Sequence, residues 1–280
     1  MDSLQNQIPD EILISRIMQI HSSLSKLDSL KPSDQVNSHF SCLLKLCTLP
    51  CSIDVKALPQ EVQLMRKSLI TLCSRVEGSL ETKFAAMLAE IPQPLHNLNI
   101  YPYYDRYIKI ANLEYGILKE NGVVQPKKLA FVGSGPIPLS SIIMATHHMK
   151  STHFDNFDID AAANDVASRI VGSDAELEKR MKFVTCDIME VKEKLKEYDC
   201  IFLAALVEIT KEDKIRILEH IRKYMKEGGV MLLRSAKGAG AFLYPLVEEK
   251  DLLDFESLSI FLHTSDVMCS VVVRKPIFQH

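Results

Sequence analysis

The sequence lacks the features that direct a chain to nucleic acid, into a membrane or out of the cell. Its 36 acidic side chains outnumber its 33 lysines and arginines, and the net charge of −3 offers no basic surface for nucleic acid. None of its apolar runs approaches the ~20 residues of a membrane-spanning helix. The chain starts with neither a basic segment nor a signal-type apolar block, so we expect a cytoplasmic protein that does not insert into membranes.

The cysteines show neither a disulfide framework nor a zinc pattern. There are seven, an odd number without regular spacing, which is typical of reduced thiols in the cytosol. Cys42, Cys47 and Cys51 are clustered, but their spacing matches no common zinc-binding motif. We therefore expect no metal site.

The chain is long and apolar enough for one large domain or two modest ones, with 280 residues and 47% hydrophobic side chains. Its character changes near Gln125 and Pro126: the pattern before them is helical, whereas the pattern after them alternates short apolar strands with helices. The sequence therefore predicts an all-α domain over residues 1–125, which contributes catalytic groups, and an α/β domain over residues 126–280.

Four helices are predicted in the first half. The longest carries an apolar stripe at spacings of three and four, running from Val62 through Leu69 and Val76 to Met87, and Pro92 stops it. Gly122 is a plausible C-terminal cap for the last helix. The predicted bounds are Asp10–Leu30, Ser33–Thr48, Pro59–Ile91 and Tyr104–Glu120.

Seven strands are predicted in the second half. Helices separate the first five, as a parallel doubly wound sheet requires, whereas four residues separate the last two and permit only an antiparallel hairpin. This arrangement is similar to the Rossmann-type fold of S-adenosylmethionine-dependent transferases, with a seven-stranded, mostly parallel sheet. The predicted strands are Lys128–Val132, Thr152–Phe157, Lys182–Cys186, Cys200–Ala205, Val230–Ser235, Leu258–His263 and Met268–Arg274.

The first of these strands runs straight into a glycine turn that is suited to a nucleoside. Glycines allow backbone N–H groups to approach a ligand, and Asp158, 23 residues after Gly135 at the end of the next strand, can accept hydrogen bonds from ribose hydroxyls. A purely structural β–turn–α unit is the alternative. The predicted nucleoside contacts are Val132, Gly133, Ser134, Gly135, Pro136, Asp158, the strand-end residue Ala204, and Asp187, which resembles the acid that such transferases use to meet the adenine amino group.

A nicotinamide-dependent oxidoreductase is a weaker interpretation of the same turn. Pro138 stands where the third glycine of the dinucleotide fingerprint would be, and such dehydrogenases usually lack the terminal hairpin.

Catalytic groups are expected from the helical half, because Leu203–Val207 after the fourth strand offers neither a base nor a nucleophile. Glu77 and Glu81 are one helical turn apart beside the apolar stripe, although two solvated surface acids would show the same spacing. Tyr104 lies on the apolar stripe of its helix, whereas Tyr107 is displaced from it and could point into a cleft.

Seven short motifs are specific when taken together: Glu77–Glu81, Tyr101–Tyr107, Phe131–Pro136, Asn156–Asp160, Phe202–Leu206, Leu233–Ala236 and Phe242–Pro245. They resemble those of plant nicotianamine synthases, and the similarity covers nearly the whole chain from Ile8 to Arg274. The resemblance implies an enzyme that joins 3-amino-3-carboxypropyl groups from three S-adenosylmethionine molecules, closes an azetidine ring and releases methylthioadenosine. The product of this family is a chelator for iron and other transition metals.

The resemblance also implies roles for individual residues. Glu81 would accept a proton, with Tyr107 and Glu77 assisting, and S-adenosylmethionine would be a substrate that needs no metal or further cofactor, because its sulfonium is already activated. Substrate contacts are implied for Tyr104, Arg234 and Tyr244.

The chain departs from the family pattern at a few positions. Lys237 and Gly240 stand where many plant members carry histidine and arginine, and Glu208 stands where a small residue is usual. Two alternatives to a synthase stay open. One is a small-molecule methyltransferase that uses S-adenosylmethionine, and the other is a catalytically weakened paralogue that acts as a binding module, which the departures at Lys237 and Gly240 favour.

Overall fold

A computed structural model describes residues 8–252, 254–262, 266 and 268–277. The chain divides into two compact units. The first comprises Met1–Leu80, Ser235–Val247 and Leu262–Cys269, and the second comprises Glu81–Arg234, Glu248–Phe261 and Ser270–His280. The predicted domain boundary at residue 125 remains a prediction; in the structure residues 81–125 belong to the second unit.

The first unit begins with two helices, α1 (Asp10–Ser25) and α2 (Asp34–Cys47). The Ser33 side chain caps α2 by accepting the Val36 N–H at 3.3 Å. Helix α1 ends five residues before the predicted Leu30. The Ser29 hydroxyl accepts the Lys31 N–H in a local turn, a bond that competes with helical pairing.

Helix α3 (Gln60–Glu90) has almost the predicted bounds and continues from the first unit into the second. Leu69 and Val76 are buried as predicted, but the prediction for Met87 was wrong, since its side chain is 46% exposed. The last turns bury Ala85 and Leu88 instead, because that part of the helix packs in the core of the second unit.

Helix α4 (Tyr104–Glu120) has the predicted bounds but a different buried face. Ile110, Glu114 and Ile117 are buried, whereas Tyr104 is only half-buried. The buried face also contains Ala111 and Leu118, and it brings the charged Glu114 into the interior. After the helix Gly122 adopts a φ of +84°, and the Val123 N–H bonds to the Leu118 carbonyl at 2.8 Å, which ends the helix as predicted.

Seven strands form one sheet in the order β3-β2-β1-β4-β5-β7-β6. The pairs β1–β2, β2–β3, β1–β4 and β4–β5 are parallel. Each predicted strand is present within two residues of its expected bounds. The strands are β1 (Lys128–Val132), β2 (His153–Asp158), β3 (Met181–Thr185), β4 (Cys200–Leu203), β5 (Val230–Ala236), β6 (Glu256–Leu262) and β7 (Met268–Arg274).

The last two strands are neighbours in the sheet and form the predicted hairpin. The short connection between Leu262 and Met268 cannot contain a crossover, so β6 and β7 must be antiparallel. His263, which we had included in the sixth strand, lies outside the described residues. The mixed seven-stranded sheet confirms the predicted fold class, an α/β Rossmann-type transferase fold.

Helices lie between the parallel strands as predicted. After the glycine turn α5 (Leu139–Ile143) begins directly after Pro138, and a π-helical turn follows at Met144–His148. The others are α6 (Ala161–Val171), α7 (Ala175–Arg180) and α8 (Lys211–Tyr224). No helix in the described part of the chain is both long and apolar enough to cross a membrane.

Candidate active site

The turn between β1 and α5 requires glycine at two positions. Gly133 and Gly135 have φ angles of +79° and +64°, in the left-handed region that side chains rarely adopt. A Cβ atom at Gly133 would also collide with Val207. The Gly133 N–H donates to the Phe157 carbonyl at 2.8 Å, which ties the turn to the end of β2. Any other residue at Gly133 or Gly135 would therefore distort this turn.

Asp158 lies against this turn, as its place at the end of β2 predicted. Its Oδ2 accepts the Gly135 N–H at 2.8 Å, and its Oδ1 accepts the Asp160 N–H at 3.0 Å. A carboxylate offers about four lone-pair sites, so two remain for ribose hydroxyls after these bonds. Asp158 therefore both holds the glycine turn and retains the capacity to bind a sugar.

The other predicted nucleoside contacts lie along the same edge of the sheet. The Val132 carbonyl accepts the Ala204 N–H at 3.0 Å, which joins the ends of β1 and β4. Pro136 is half-buried beyond the turn. The buried Ser134 hydroxyl has no hydrogen-bond partner within residues 8–252 and the shorter described segments, an arrangement that favours a polar ligand at this turn.

Asp187 is exposed just beyond the end of β3. Thr185 is in register with Asp158 on the neighbouring parallel strand, so Asp187 lies at the carboxyl edge where ligands bind in such sheets. Its Oδ1 accepts the Met189 N–H at 2.9 Å and thereby starts a short 3₁₀ turn. This fixed carboxylate is suitably placed to accept hydrogen bonds from an amino group.

Glu81 brings an acid directly over the glycine turn. A Cβ atom on Gly135 would lie 3.0 Å from Glu81 Oε2, so the carboxylate is in contact range of the turn. The Tyr107 hydroxyl donates to Glu81 Oε1 at 3.4 Å. The structure thus brings together Glu81, Tyr107 and the predicted nucleoside edge, all within the second unit.

Arg234 lies beneath this acid and tyrosine in the core of the second unit. Its Nε and Nη2 each donate to the Glu114 carboxylate at 2.8 Å, and Nη2 also donates to Ser140 Oγ at 2.7 Å. Burial opposes the charged form of Arg234, but the Glu114 carboxylate outweighs it and raises the arginine pKa. Arg234 is therefore a buried cation in a closed network.

Two aromatic rings face this buried cation. The Arg234 guanidinium carbon lies 5.8 Å from the Tyr107 ring centroid and 4.9 Å from that of Phe202. Both distances are in the range of cation–π attraction. Glu114 and Arg234 thus support the ring whose hydroxyl contacts Glu81. The predicted substrate residue Tyr104 lies half-buried in the first turn of α4.

The first unit contains a second acid–tyrosine pair. The Tyr244 hydroxyl lies 3.2 Å from both carboxylate oxygens of Glu77, and both residues are buried, with Glu77 only 7% exposed. The alternative of two solvated acids on α3 was wrong, since Glu77 is buried and Glu81 is half-buried.

The departures from the expected motifs lie in distinct surroundings. Lys237 is exposed, whereas Gly240 is buried in the 3₁₀ turn Gly238–Phe242. Arg66 of α3 donates to the Ala241 carbonyl in the same turn. Glu208 has a φ of +54°, which explains why a small residue suits that position.

Sequence reasoning missed Glu114, which is 0% exposed. The signal was present, because Glu114 continues the spacing of the buried residues Ile110, Ala111, Ile117 and Leu118. In the described ranges we find no group of three or more metal-binding side chains that could hold an ion. All seven cysteines are free thiols.

Comparison with known proteins gives one consistent family. The family model described as nicotianamine synthase protein matches residues 4–279. Nicotianamine synthase 3 of Arabidopsis thaliana is 49% identical over 270 residues, which cover 95% of this chain and 84% of that protein. The nicotianamine synthase of Solanum lycopersicum is 45% identical over 263 residues, covering 94% of this chain and 83% of that protein.

Solved structures agree on the fold. A crystal structure of an MtNAS mutant in complex with S-adenosylmethionine superposes with a TM-score of 0.79, at 19% identity, over 95% of this chain and 99% of that one. The structure of MtNAS in complex with MTA and tNA gives a TM-score of 0.74, also at 19% identity, over 95% and 96% of the two chains.

Proposed function

This chain belongs to the nicotianamine synthase family, and we propose that it uses the site described above to join 3-amino-3-carboxypropyl groups from three S-adenosylmethionine molecules. Methylthioadenosine leaves at each of the two transfers between molecules. In the final cyclisation an amine of the elongated chain attacks the carbon that bears the remaining sulfonium, and the third methylthioadenosine leaves as the azetidine ring of nicotianamine closes. The observation that carries the assignment is the contact between the Glu81 carboxylate and the glycine turn that is suited to the nucleoside.

In this reaction the substrate amine is the nucleophile, so the protein has to supply a base. The acceptor amine attacks the methylene carbon of the aminocarboxypropyl group, the carbon–sulfur bond breaks, and its electron pair stays on sulfur. The amine is protonated at neutral pH and must first lose a proton, which Glu81 is placed to accept. Proton transfer to a positioned group contributes about 10²–10⁴-fold in rate.

Orientation selects the carbon that reacts. Three carbons are attached to the sulfonium and all are electrophilic, so the enzyme determines the product by presenting one of them to the amine. We assign the nucleoside to Gly133, Gly135 and Asp158, with Asp187 for the adenine amino group. Holding the nucleoside at this edge places the sulfonium within reach of Glu81.

Tyr107 has a supporting role in this scheme. Its hydroxyl contacts Glu81 Oε1, which fixes the carboxylate and leaves Oε2 directed at the turn. In the first unit the buried Glu77–Tyr244 pair provides an acid that can hold a substrate amine. We assign Arg234 to holding Tyr107, and Tyr104 to contact with substrate.

The free thiols favour a reducing compartment, and we place the enzyme in the cytoplasm. The product would serve as a chelator of iron and other transition metals. Neither assignment affects the chemistry of the site.

Incubation of the purified full chain with S-adenosylmethionine alone, followed by mass spectrometry, tests the proposal. We expect methylthioadenosine together with nicotianamine and no requirement for an added acceptor. The Glu81→Gln variant serves as the control for non-enzymatic breakdown. S-adenosylhomocysteine as the main nucleoside product would contradict the synthase assignment and indicate a methyltransferase.

A further inference from the structure

One buried lysine holds the loop that follows β4. Lys214 lies in the first turn of α8 and is 2% exposed. Its ammonium donates to the carbonyl oxygens of Ala205 at 3.0 Å, Ala204 at 3.4 Å and Val207. Three converging carbonyls match the three N–H bonds of an ammonium. The lysine and the backbone of residues 204–207 therefore hold each other in place.

The same loop forms one wall of the glycine turn. A Cβ atom on Gly133 would collide with Val207 and lie 3.3 Å from the Ala204 Cβ. The chain then turns back at Glu208, which adopts a left-handed φ of +54°. The loop therefore packs on the turn without free space at this point, and a small displacement would change the shape of the nucleoside edge.

We propose that Lys214 is a positioning residue for the nucleoside: it gathers the carbonyls of residues 204, 205 and 207 and thereby holds this loop against the glycine turn. The inference rests on the proposed function, because it concerns the binding of the same donor. Lys214 takes no part in the transfer, since its three N–H groups are all directed at backbone carbonyls.

The location of Lys214 in its helix supports this role. It occupies the buried face of α8 with Ile217, Leu218 and Ile221, where an apolar residue would be expected. Burying a cation is costly unless polar groups satisfy it. The packing of the helix gives no reason for a lysine here, whereas the three loop carbonyls need a donor with several N–H groups.

The charge of Lys214 makes the loop sensitive to pH. Burial lowers the pKa of Lys214 to about 7, and Glu208 acts in the opposite direction. A neutral amine has two hydrogens for three carbonyls, so one carbonyl loses its donor as the pH rises through this value. Nucleoside affinity is then complete below the pKa and decreases above it.

Several other acids near α8 are paired with cations. The segments Ile188–Glu190 and Glu193–Glu197 pack on this helix. Within them Glu193 pairs with Lys196 and Glu197 with Lys128, each at 2.6 Å. On the helix itself Asp213 contacts Arg216 at 3.2 Å. In the segment Ile188–Glu190, burial and the nearby Glu190 together raise the pKa of the Cys186 thiol.

Calorimetry with methylthioadenosine tests the inference on the full chain at about pH 6 and about pH 8.5. At the lower pH we expect Lys214→Met to weaken binding by about 10-fold, the loss of a hydrogen bond from a charged group. Lys214→Arg keeps the charge and the donors, so it should bind within about 3-fold of wild type at about pH 6 and should keep that affinity at about pH 8.5. Wild-type affinity should fall at the higher pH.

The matched control is Lys211→Met, which removes a lysine from the same helix whose partners are Glu248 and Asp251. It should bind methylthioadenosine as wild type does. With S-adenosylmethionine, Lys214→Met should raise KM with little change in kcat. If Lys214→Met does not fold, the affinities of wild type and Lys214→Arg for methylthioadenosine at the two pH values test the inference instead. A fall with pH in wild type but not in Lys214→Arg supports it.

Two results would overturn the inference in distinguishable ways. In the first, wild type binds methylthioadenosine equally well at both pH values and Lys214→Met binds it as tightly as wild type does. Lys214 would then have no role in positioning the nucleoside, and the proposed function would be unaffected. A wild-type protein that binds neither methylthioadenosine nor S-adenosylmethionine would overturn both.

Discussion

Glu81 Oε2 lies 3.0 Å from the position that a Cβ atom on Gly135 would occupy. The two residues are far apart in the sequence, on a long helix and on a turn at the edge of a sheet, and the fold brings them into contact. Gly135 is therefore constrained twice, by its left-handed φ and by the acid above it. If the donor binds at this turn as proposed, the contact places a proton acceptor close to its sulfonium.

The first prediction concerns the base. Glu81→Gln keeps the size of the side chain but removes the proton acceptor, so we expect kcat to fall by about 10²-fold or more while S-adenosylmethionine still binds. Turnover assays and calorimetry on the same preparation measure the two effects. Glu90→Gln, an exposed acid on the same helix, is the matched control and should keep wild-type turnover. Near-normal turnover in Glu81→Gln would mean that another group accepts the proton.

The second prediction concerns recognition of the nucleoside. Asp158→Ala removes the acceptor for the Gly135 N–H and for the ribose, and should weaken S-adenosylmethionine binding by about 1.5–3 kcal/mol. Gly135→Val should weaken S-adenosylmethionine binding further. Its side chain would collide with Glu81, and valine is strained at the left-handed φ of this position.

Gly116→Ala provides the control for these substitutions. This glycine lies inside α4 with no atom within 4 Å of its added Cβ, so alanine should leave binding unchanged and stabilise the fold by about 0.5–1 kcal/mol. Unchanged affinity in both Asp158→Ala and Gly135→Val would show that the donor binds elsewhere.

Much of this site could be predicted from local patterns. Gly133, Gly135 and Asp158 follow directly from a strand–turn–helix unit and the strand after it, and those elements have nearly the expected bounds. Glu114 and Lys214 have the spacing of the buried faces of their helices, but hydrophobic periodicity places a charged side chain at the surface by default. Their burial depends on partners that only the fold supplies: Arg234 is 120 residues from Glu114, and backbone carbonyls surround Lys214.

The third prediction separates stability from catalysis in the Glu114–Arg234 pair. Glu114→Gln leaves a buried cation without its counter-charge and should lower the free energy of unfolding by about 3–5 kcal/mol. The double substitution Glu114→Leu with Arg234→Met removes both charges and should recover much of that loss. Denaturant unfolding measures both variants.

The same double variant should still turn over more slowly than wild type, because Tyr107 loses the cation beneath its ring and no longer holds Glu81 firmly. We expect kcat to fall by about 10-fold with a smaller change in KM. Wild-type kcat in a stably folded double variant would show that the pair serves stability alone.

The last prediction concerns the departures at Lys237 and Gly240. Successive transfers require a growing acceptor whose carboxylates are held while its amine reaches the next donor. An arginine binds a carboxylate through two hydrogen bonds, whereas glycine offers none and lysine acts only as a point charge. We therefore expect this chain to release some partly elongated product, and Gly240→Arg to raise the proportion of cyclised product.

Because Gly240 is buried in a turn that Arg66 also contacts, a larger side chain there can disturb the first unit, and a melting curve must accompany the assay. Lys237→Arg places a guanidinium at an exposed neighbouring position without a change of charge, and so tests whether the arginine must stand at position 240. If Gly240→Arg folds normally, and both its rate and its ratio of cyclised to shorter product equal those of wild type, then an arginine at this position has no role in holding the acceptor. In that case the carboxylates must be bound by other residues.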